Sequence, residues 1–515
     1  MHPCLQSYEN NPVGSYVDEP GAGHMPRWEI HMSRVVVLGA GISGHTAAAF
    51  LRRWLEKNDE VVVISPQPTY NWIPSNIWVG VGLMRKEQVT FPLAPVYRRS
   101  GIDFRQAKAV ALYPEGTESD NRSVVEIEWT LDGKVGQREF VPYDFLINAT
   151  GPKLNFEATS GLGPGKNSLS VCTASHAEET ARVFLEKVGR MKRGEKQQFV
   201  VGVGHGGCTC EGAAFEYVVN LEFELRAHKV RENAEIVFLT NEYELGDFGV
   251  NGVHIRRGGY VTPGRIFAES PFAERGIRWI TKAHVRGVEP GVAHIETLDR
   301  GLSEVAFDMA MLLPPFSGVG LKAFNRSGED ISGDVFAPSG FMKVDGNYSK
   351  KPYGEWKAAD WPRDYQSPAY SNLFAAGIAF APPHPISEPH TNADGLMISP
   401  APPRTGMPSA MIGKSVARSI VDMLGGSTGP THAASMAEMG AACVASAGAN
   451  PFTGTAASLT VFRIVPNFEK YPEYGRDINN TFGEIGLAGH WIKILLHHMF
   501  LYKARLRPGW QLIPE

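Results

Sequence analysis

The chain is predicted to be α/β, with two Rossmann-like dinucleotide-binding domains and a C-terminal amphipathic helical membrane-attachment region. Three observations carry this expectation: a Gly-x-Gly-x-x-Gly turn at 39–44, a second glycine-rich turn at 202–207, and an apolar stripe at helical spacing between Phe482 and Leu506.

The first turn has strands on both sides. Arg34-Val35-Val36-Val37-Leu38 reads as a buried strand, Gly39-Ala40-Gly41-Ile42-Ser43-Gly44 as the turn, His45 to Leu55 as a helix, and Val61-Val62-Val63-Ile64 as the next parallel strand. Such a unit seats a pyrophosphate on the helix N-terminus, which makes Gly39, Gly41, Ile42, Ser43 and Gly44 candidate cofactor contacts. The ribose-binding acid expected after the second strand is replaced by Ser65, followed by Pro66, so a hydroxyl is offered there without a charge.

The second turn runs into two cysteines: Gly202-Val203-Gly204-His205-Gly206-Gly207-Cys208-Thr209-Cys210-Glu211. Phe199-Val200-Val201 before it reads as a short buried strand and Ala213 to Leu225 after it as a helix. Backbone N–H groups and the helix dipole stabilise a thiolate at such a helix start, which marks Cys208 and Cys210 as candidates for a reactive site. The plainer reading is a pair of small buried residues at a tight crossing. A metal site at His205-x-x-Cys208-x-Cys210 lacks the second ligand pair that zinc sites show, so no metal is expected.

Tyr143-Asp144-Phe145-Leu146-Ile147-Asn148-Ala149-Thr150-Gly151-Pro152 reads as a strand closing the first fold, and Asn372-Leu373-Phe374-Ala375-Ala376-Gly377-Ile378 as a buried strand returning to it. The expected organisation is a flexible extension over 1–32, the first part of the cofactor domain over 33–151, a second domain with the redox cysteines over 152–368, a return over 369–425, and a C-terminal region over 426–515. Gly425 to Ser458, rich in Ala, Gly, Ser and Thr, is expected to be a linker or a segment covering the cofactor.

Composition narrows the classes further. A chain of 515 residues that is 43% hydrophobic can bury two or three cores, and a net charge of -4 gives no argument for nucleic acid. The five cysteines, Cys4, Cys172, Cys208, Cys210 and Cys443, are too scattered for a secreted disulfide framework. In the C-terminal stretch Trp491, Leu495, Met499, Tyr502 and Leu506 share one stripe, with Ile492, Leu496 and Phe500 beside it. Lys493, His497, Lys503, Arg505 and Arg507 interrupt it, which argues against a spanning helix. Two readings stand for this stretch: a helix lying in a lipid headgroup layer, or an ordinary helix docked on the core.

These residues resemble the sulfide:quinone oxidoreductase family, which is related to flavocytochrome c sulfide dehydrogenase and type II NADH dehydrogenases. The resemblance runs from Arg34 to Trp510. Its specific pieces include Asn71-Trp72-Ile73-Pro74-Ser75-Asn76, Ala149-Thr150-Gly151-Pro152-Lys153-Leu154, Val171-Cys172-Thr173-Ala174-Ser175-His176-Ala177 and Pro403-Arg404-Thr405-Gly406-Met407. It implies FAD as cofactor, sulfide as donor, a membrane quinone as acceptor and peripheral attachment to a membrane. The side of that membrane, and whether the chain forms a homo-oligomer, stay open. By the same resemblance Cys210 is the cysteine that reacts with sulfide beside the flavin, and Cys172 lies near the flavin 8-methyl group. Glu216 and His176 are then base and proton shuttle, and Arg404 is the positive charge near the flavin N1. Thr150, Gly151, Gly377 and Thr405 fall on further cofactor-binding positions, and a quinone slot is expected against the stretch from Phe452 to Tyr474 and the C-terminal helix.

One departure stands out. The family's third cysteine is missing from Met342-Lys343-Val344-Asp345-Gly346-Asn347-Tyr348, which leaves Cys208, Cys172 or Cys443 as partner for Cys210. Asp247 stands where a histidine is expected. Two alternatives therefore accompany the leading reading: a type II NAD(P)H:quinone oxidoreductase, and a noncatalytic flavoprotein redox sensor of the same fold.

Overall fold

Valine-rich strands β1 (Arg34–Leu38) and β2 (Glu60–Ile64) run parallel, Val36 opposite Val62, with α1 (Ile42–Trp54) crossing between them. In the computed structural model, which describes residues 32–209, 211–257 and 259–515, this pair sits inside a five-stranded parallel sheet. β3 (Asp103–Arg105) flanks β2, and β4 (Phe145–Asn148) flanks β1. Continuous β-branched runs suit strands covered on both faces, and Val35, Val36, Val37, Val61, Val62 and Val63 are all fully buried.

The helix α2 (Ala174–Met191) begins at Thr173, whose side chain accepts the His176 N–H at 3.1 Å. A second parallel sheet follows. Its strand β5 (Gln197–Val203) leads through the cysteine loop into α3 (Glu211–Ala227) and pairs with β6 (Ala234–Leu239); β7 (Arg278–Ile280) extends the sheet beyond β6, and β8 (Met309–Leu313) pairs on the far side of β5. Gly202 has φ +153°, and a Cβ there would lie 1.9 Å from the Leu239 carbonyl oxygen, so only glycine fits this exit from β5.

The chain returns to the first sheet at β9 (Leu373–Ala375), beside β4. The strand is shorter than Asn372 to Ile378 because Gly377 turns with φ +66° into a short 3-10 segment, Gly377–Ala379. The helix α4 (Gly406–Leu424) packs against α1 at a close crossing, where a Cβ on Gly413 would lie 2.5 Å from the Ser43 carbonyl oxygen.

Two expectations need correction. The stretch from Gly425 to Ser458 is not a linker: it contains β10 (Gly440–Asn450) and the start of β11 (Thr453–Phe462), an antiparallel hairpin laid on α3. Its small residues serve close approach, since a Cβ on Gly448 would lie 2.9 Å from the Phe223 ring. Nor is the stretch from Phe482 helical throughout. Phe482–Gly486 forms β12 on the edge of the hairpin, and the helix α5 is Leu487–Ala504.

The sidedness of α5 is the reverse of an ordinary docked helix. His490, Lys493, His497 and Lys503 face inward and are buried, while Trp491, Ile492 and Leu495 are 53%, 49% and 61% exposed. Among the described residues no helix is long and apolar enough to cross a membrane. Residues 33–515 form one compact unit; the extension assigned to 1–32 lies, apart from Met32, outside the described residues.

Candidate functional site

At the first turn the glycines are demanded by space. Gly39 has φ +99° and its Cβ would lie 2.2 Å from the Ala149 oxygen; a Cβ on Gly44 would lie 2.1 Å from the Gly39 oxygen. Gly41 differs, for a Cβ there meets nothing within 4 Å, which leaves the N-terminus of α1 open on one side. No acid occupies the first turn of α1 and no side chain caps it, so its N–H groups stay available for an anion. Ser43 Oγ is buried without a partner close by, and Gly377 passes 2.7 Å, measured from its would-be Cβ, from the Ser43 Cβ.

The other expected cofactor residues gather at the same sheet end. Ser65, followed by Pro66, is buried at the end of β2 and its Oγ accepts the Gln67 N–H at 3.3 Å. Thr150 Oγ1 donates to Asn148 Oδ1 at 2.8 Å, and Gly151 follows with φ +68° and nothing near its would-be Cβ. Arg404 is buried over the Phe341 ring and donates to the Ile378 and Phe380 carbonyl oxygens at 2.8 and 2.7 Å, which fixes a positive charge just before α4. Thr405 is the N-cap residue of α4.

Cys172 sits on the loop before α2. Asn71 and Asn76 pin that loop from either side: Asn76 Nδ2 donates to the Val171 oxygen at 3.2 Å and the Ala174 N–H donates to Asn71 Oδ1 at 3.0 Å. Burial pushes the Cys172 thiol up to about 11, against a hydrogen bond to Ser170, so it rests as the thiol. His176 is half-buried with Nδ1 unpartnered and its ring edge-on to Phe156; burial lowers its pKa.

The second glycine loop is packed tight. Asn241 Nδ2 donates to the Gly206 and Cys208 oxygens at 3.0 and 3.2 Å, the Gly206 N–H donates to His284 Nδ1 at 2.9 Å, and Cys208 Sγ donates to the Leu313 oxygen at 3.2 Å. Residues 397–401 lie across the loop: the Ser399 and Ala401 N–H groups donate to the Gly206 and Cys208 oxygens at 2.9 and 2.8 Å. A Cβ on Gly206 would lie 3.1 Å from the Met397 oxygen. Cys210 lies outside the described residues.

On the other face of α3, Glu216 is buried in an ion pair with Lys493 of α5, Oε2 to Nζ 3.0 Å, and its Oε1 accepts the Ser446 N–H at 3.2 Å. Burial raises the Glu216 pKa and Lys493 opposes that rise. His490 joins the same file, its Nδ1 2.6 Å from Ser446 Oγ. Cys443 on β10 reaches the first turn of α3, where its Sγ lies 3.4 Å from the Cβ position of Gly212.

Two further acids, Glu211 and Glu242, interact with the half-buried Asp247 near the α3 start, and of these buried Glu211 alone escapes sequence reasoning, Glu242 being the nearest acid after β6. Glu242 Oε1 accepts the Gly246 and Phe248 N–H groups at 3.1 and 2.7 Å, yet burial still raises its pKa to about 7. Asp247, which stands at the expected histidine position, accepts the Gly249 N–H at 3.0 Å. An acid following a cysteine at a helix start reads as ordinary helix-dipole complementation, which is why Glu211 gave no signal.

No family model matches the chain. It is 30% identical over 388 residues to the sulfide-quinone reductase of Aquifex aeolicus (strain VF5), covering 75% of this chain and 76% of that one. It is 25% identical over 330 residues to the external alternative NAD(P)H-ubiquinone oxidoreductase B4 of Arabidopsis thaliana mitochondria, covering 62% and 53%. The X-ray structure of the Aquifex aeolicus sulfide:quinone oxidoreductase superposes with TM-score 0.70 at 26% identity over 93% of this chain and 94% of that one. NDH2 of Plasmodium falciparum, at 13% identity, shares the fold with TM-score 0.57 over 92% and 96%. With mixed α/β architecture, parallel sheets and this degree of identity over three quarters of its length, the chain belongs to the sulfide-quinone reductase family.

Proposed function

We propose that the chain oxidises sulfide to polysulfide or elemental sulfur and passes the electrons by way of FAD to a quinone. The observation that carries this reading is the cysteine loop itself: a glycine turn of nucleotide-binding type whose outer face is filled by residues 397–401 and whose exit holds thiols. That filling speaks against the nicotinamide alternative. A dinucleotide needs the space above Gly206, and Glu242, the nearest acid after β6, spends its carboxylate on the backbone of Gly246 and Phe248.

The residues fit FAD. The open side of Gly41, the uncapped α1 N-terminus and the orphaned Ser43 Oγ suit a pyrophosphate; Ser65 suits a ribose hydroxyl; Arg404 suits a reduced, anionic ring. When bound, FAD supplies two-electron storage between a sulfur donor and a quinone acceptor. In this reading the two parallel sheets belong to two Rossmann-like domains, divided as expected at 33–151, 152–368 and 369–425. Residues 426–515 then form the quinone and membrane region.

Cys210 would attack or be attacked by sulfide, and its neighbours in the chain prepare that exchange. The helix dipole of α3 favours a thiolate at its start. Cys443, whose Sγ lies 3.4 Å from the Cβ position of Gly212 in the first turn of α3, is our choice to stand in for the missing third cysteine; burial pushes its thiol and that of Cys172 alike up to about 11, and Cys208 donates to the Leu313 oxygen. Glu216 and His176 remain proton carriers in this scheme.

Membrane attachment rests on α5 and the hairpin tip. Trp491 Nε1 donates to the Pro451 oxygen at 2.7 Å, which ties the hairpin tip carrying Phe452, 87% exposed, to α5. Exposed apolar and aromatic side chains on α5 and the hairpin tip, with Lys493 and Lys503 turned inward, suit the headgroup layer and would give a quinone a path from lipid. An anaerobic sulfide titration tests the function. Bleaching of the flavin absorbance by sulfide, its return on adding a quinone analogue, and loss of bleaching in Cys210→Ser are expected; bleaching by NADH instead of sulfide would overturn the reading.

A further inference from the structure

From Ile485 to Pro514 the chain carries no Asp or Glu, against Lys493, Lys503, Arg505 and Arg507. The two lysines are buried and spent: Lys493 on Glu216, and Lys503 on the charge of Glu515 and on the Ile513 and Pro514 carbonyl oxygens at 2.6 and 3.1 Å. The two arginines stay at the surface, where a third joins them. Arg99, in the last turn of the short helix Leu93–Ser100, donates from Nη2 to the Arg505 carbonyl oxygen at 3.5 Å and from Nη1 to the Pro95 oxygen at 3.1 Å. The guanidinium carbon of Arg505 lies 4.9 Å from the centre of the Phe91 ring, and that of Arg507 lies 5.5 Å from the centre of the Tyr502 ring.

The turn that presents these charges is held in place. Leu506 takes φ +49°, a left-handed conformation that a leucine adopts at a cost, and the chain comes back so that Arg507 overlies Tyr502. Tyr502 Oη donates to the Pro508 oxygen at 2.7 Å and closes the turn. Among the described residues no carboxylate pairs with Arg99, Arg505 or Arg507, and burial together with the charge of Arg507 holds the Arg505 guanidinium below its ordinary range. Helix-dipole complementation accounts for only part of this, because the C-terminal end of a helix offers about half a negative charge. Most of the charge of three guanidiniums is left unmatched.

Position decides what that surplus meets. Trp491, His498 and Arg505 are seven residues apart, so they share the outward stripe of α5, with Leu495 and Tyr502 between them. The stripe is apolar where α5 begins and basic where it ends, about 21 Å further along at 1.5 Å per residue. We propose that Arg99, Arg505 and Arg507 hold the phosphates of anionic phospholipid headgroups while Trp491, Ile492 and Leu495 enter the acyl boundary, so that the protein selects an anionic bilayer over a neutral one. This rests on the reading of α5 as a membrane contact and gives that contact its lipid class. A guanidinium meets phosphate oxygens through paired N–H donors, and one already laid on an aromatic ring has less water to lose. A nucleic acid offers the same phosphates but nothing to cover Trp491 and Leu495, and the net charge of -4 opposes a polyanion.

The test is flotation of the flavin-loaded protein with phosphatidylcholine vesicles, and with vesicles in which about a third of the lipid is phosphatidylglycerol. Wild type should favour the anionic vesicles, and the preference should fade as salt rises from about 0.05 M to about 0.5 M. Each arginine near an anionic surface is worth about fivefold in binding. Arg99→Gln with Arg505→Gln and Arg507→Gln should therefore lose roughly a hundredfold in affinity for anionic vesicles and nothing for neutral ones. Replacing the same three residues by lysine should keep most of the preference. Flavin content and turnover with a soluble quinone analogue should be unchanged in both variants, which separates lost charge from lost fold. Equal binding of the wild type to both kinds of vesicle, or a preference that survives in the glutamine variant, would overturn the proposal and leave the membrane contact standing. A wild type that binds neither kind would overturn the proposal and the membrane reading together, and a dimer split by the glutamine substitutions would then give this face to a second copy.

Discussion

Replacing Lys493 by methionine should destabilise the protein in a strongly pH-dependent way. The ammonium of Lys493 sits 3.0 Å from Glu216 Oε2, and both side chains are nearly removed from water, at 11% and 8% exposure. Methionine keeps most of the volume but leaves a buried carboxylate whose other hydrogen-bond partner among the described residues is the Ser446 N–H. An uncompensated buried carboxylate costs about 3–5 kcal/mol, but protonation caps that cost. Protonating a carboxyl of ordinary pKa ~4.3 costs about 1.4 kcal/mol per pH unit, hence roughly 3.7 kcal/mol at pH 7 and roughly 1 kcal/mol at pH 5. The sign follows from the folded pKa rising above the unfolded one: the penalty is absent below the unfolded value and grows as pH climbs towards the folded value. Because burial already raises the wild-type Glu216 pKa, these figures are upper bounds on the difference. Urea unfolding at pH 5, 6, 7 and 8 measures it, and Lys493→Met with Glu216→Gln should recover most of the loss. A deficit independent of pH, or one the second substitution fails to relieve, would refute the argument and make Lys493 a packing residue.

Three further outcomes are expected. Cys443→Ser should abolish a cross-link between the peptides carrying residues 210 and 443 in the oxidised protein and slow sulfide-dependent flavin reduction; mass spectrometry under non-reducing conditions and stopped-flow absorbance read the two effects. Gly39→Ala should purify with little flavin, since its Cβ would meet the Ala149 oxygen at 2.2 Å on a backbone at φ +99°, and the flavin-to-protein absorbance ratio measures it. Trp491→Asp with Leu495→Asp should leave vesicles in flotation assays, because losing each apolar side chain from lipid forfeits about 1.5–3 kcal/mol, roughly tenfold to a hundredfold in binding per residue; equal flotation would remove α5 from the membrane contact.

What could be read from the sequence was local. The turn at 39–44 and the strands around it came through because each glycine answers a steric demand set by residues nearby, and a valine run is a strand whatever lies above it. The hairpin from Gly440 to Phe462 did not. Its Ala, Gly, Ser and Thr residues lack strand alternation, and they are small because α3 presses on them, a tertiary fact. The stripe on α5 was legible, but its direction was not: periodicity says which residues share a face, and only packing says that His490, Lys493 and His497 turn inward. Glu216 was placed by resemblance, whereas its partner Lys493 lies 277 residues away and carries no local mark. The burial of Glu211 beside Asn241 and Glu242 was equally out of reach, because it is set by where the segment after β6 packs.

The segment 397–401 laid over the glycine loop has a consequence for how such a protein would sit in metabolism. In dinucleotide enzymes that loop is the doorway through which a soluble coenzyme comes and goes. Here the door is shut by two backbone hydrogen bonds from the protein's own chain, to Gly206 and Cys208. A flavin behind it would be insulated from the nicotinamide pool, however reduced that pool became, and its electron traffic would follow the supply of sulfide and the demand for quinone alone.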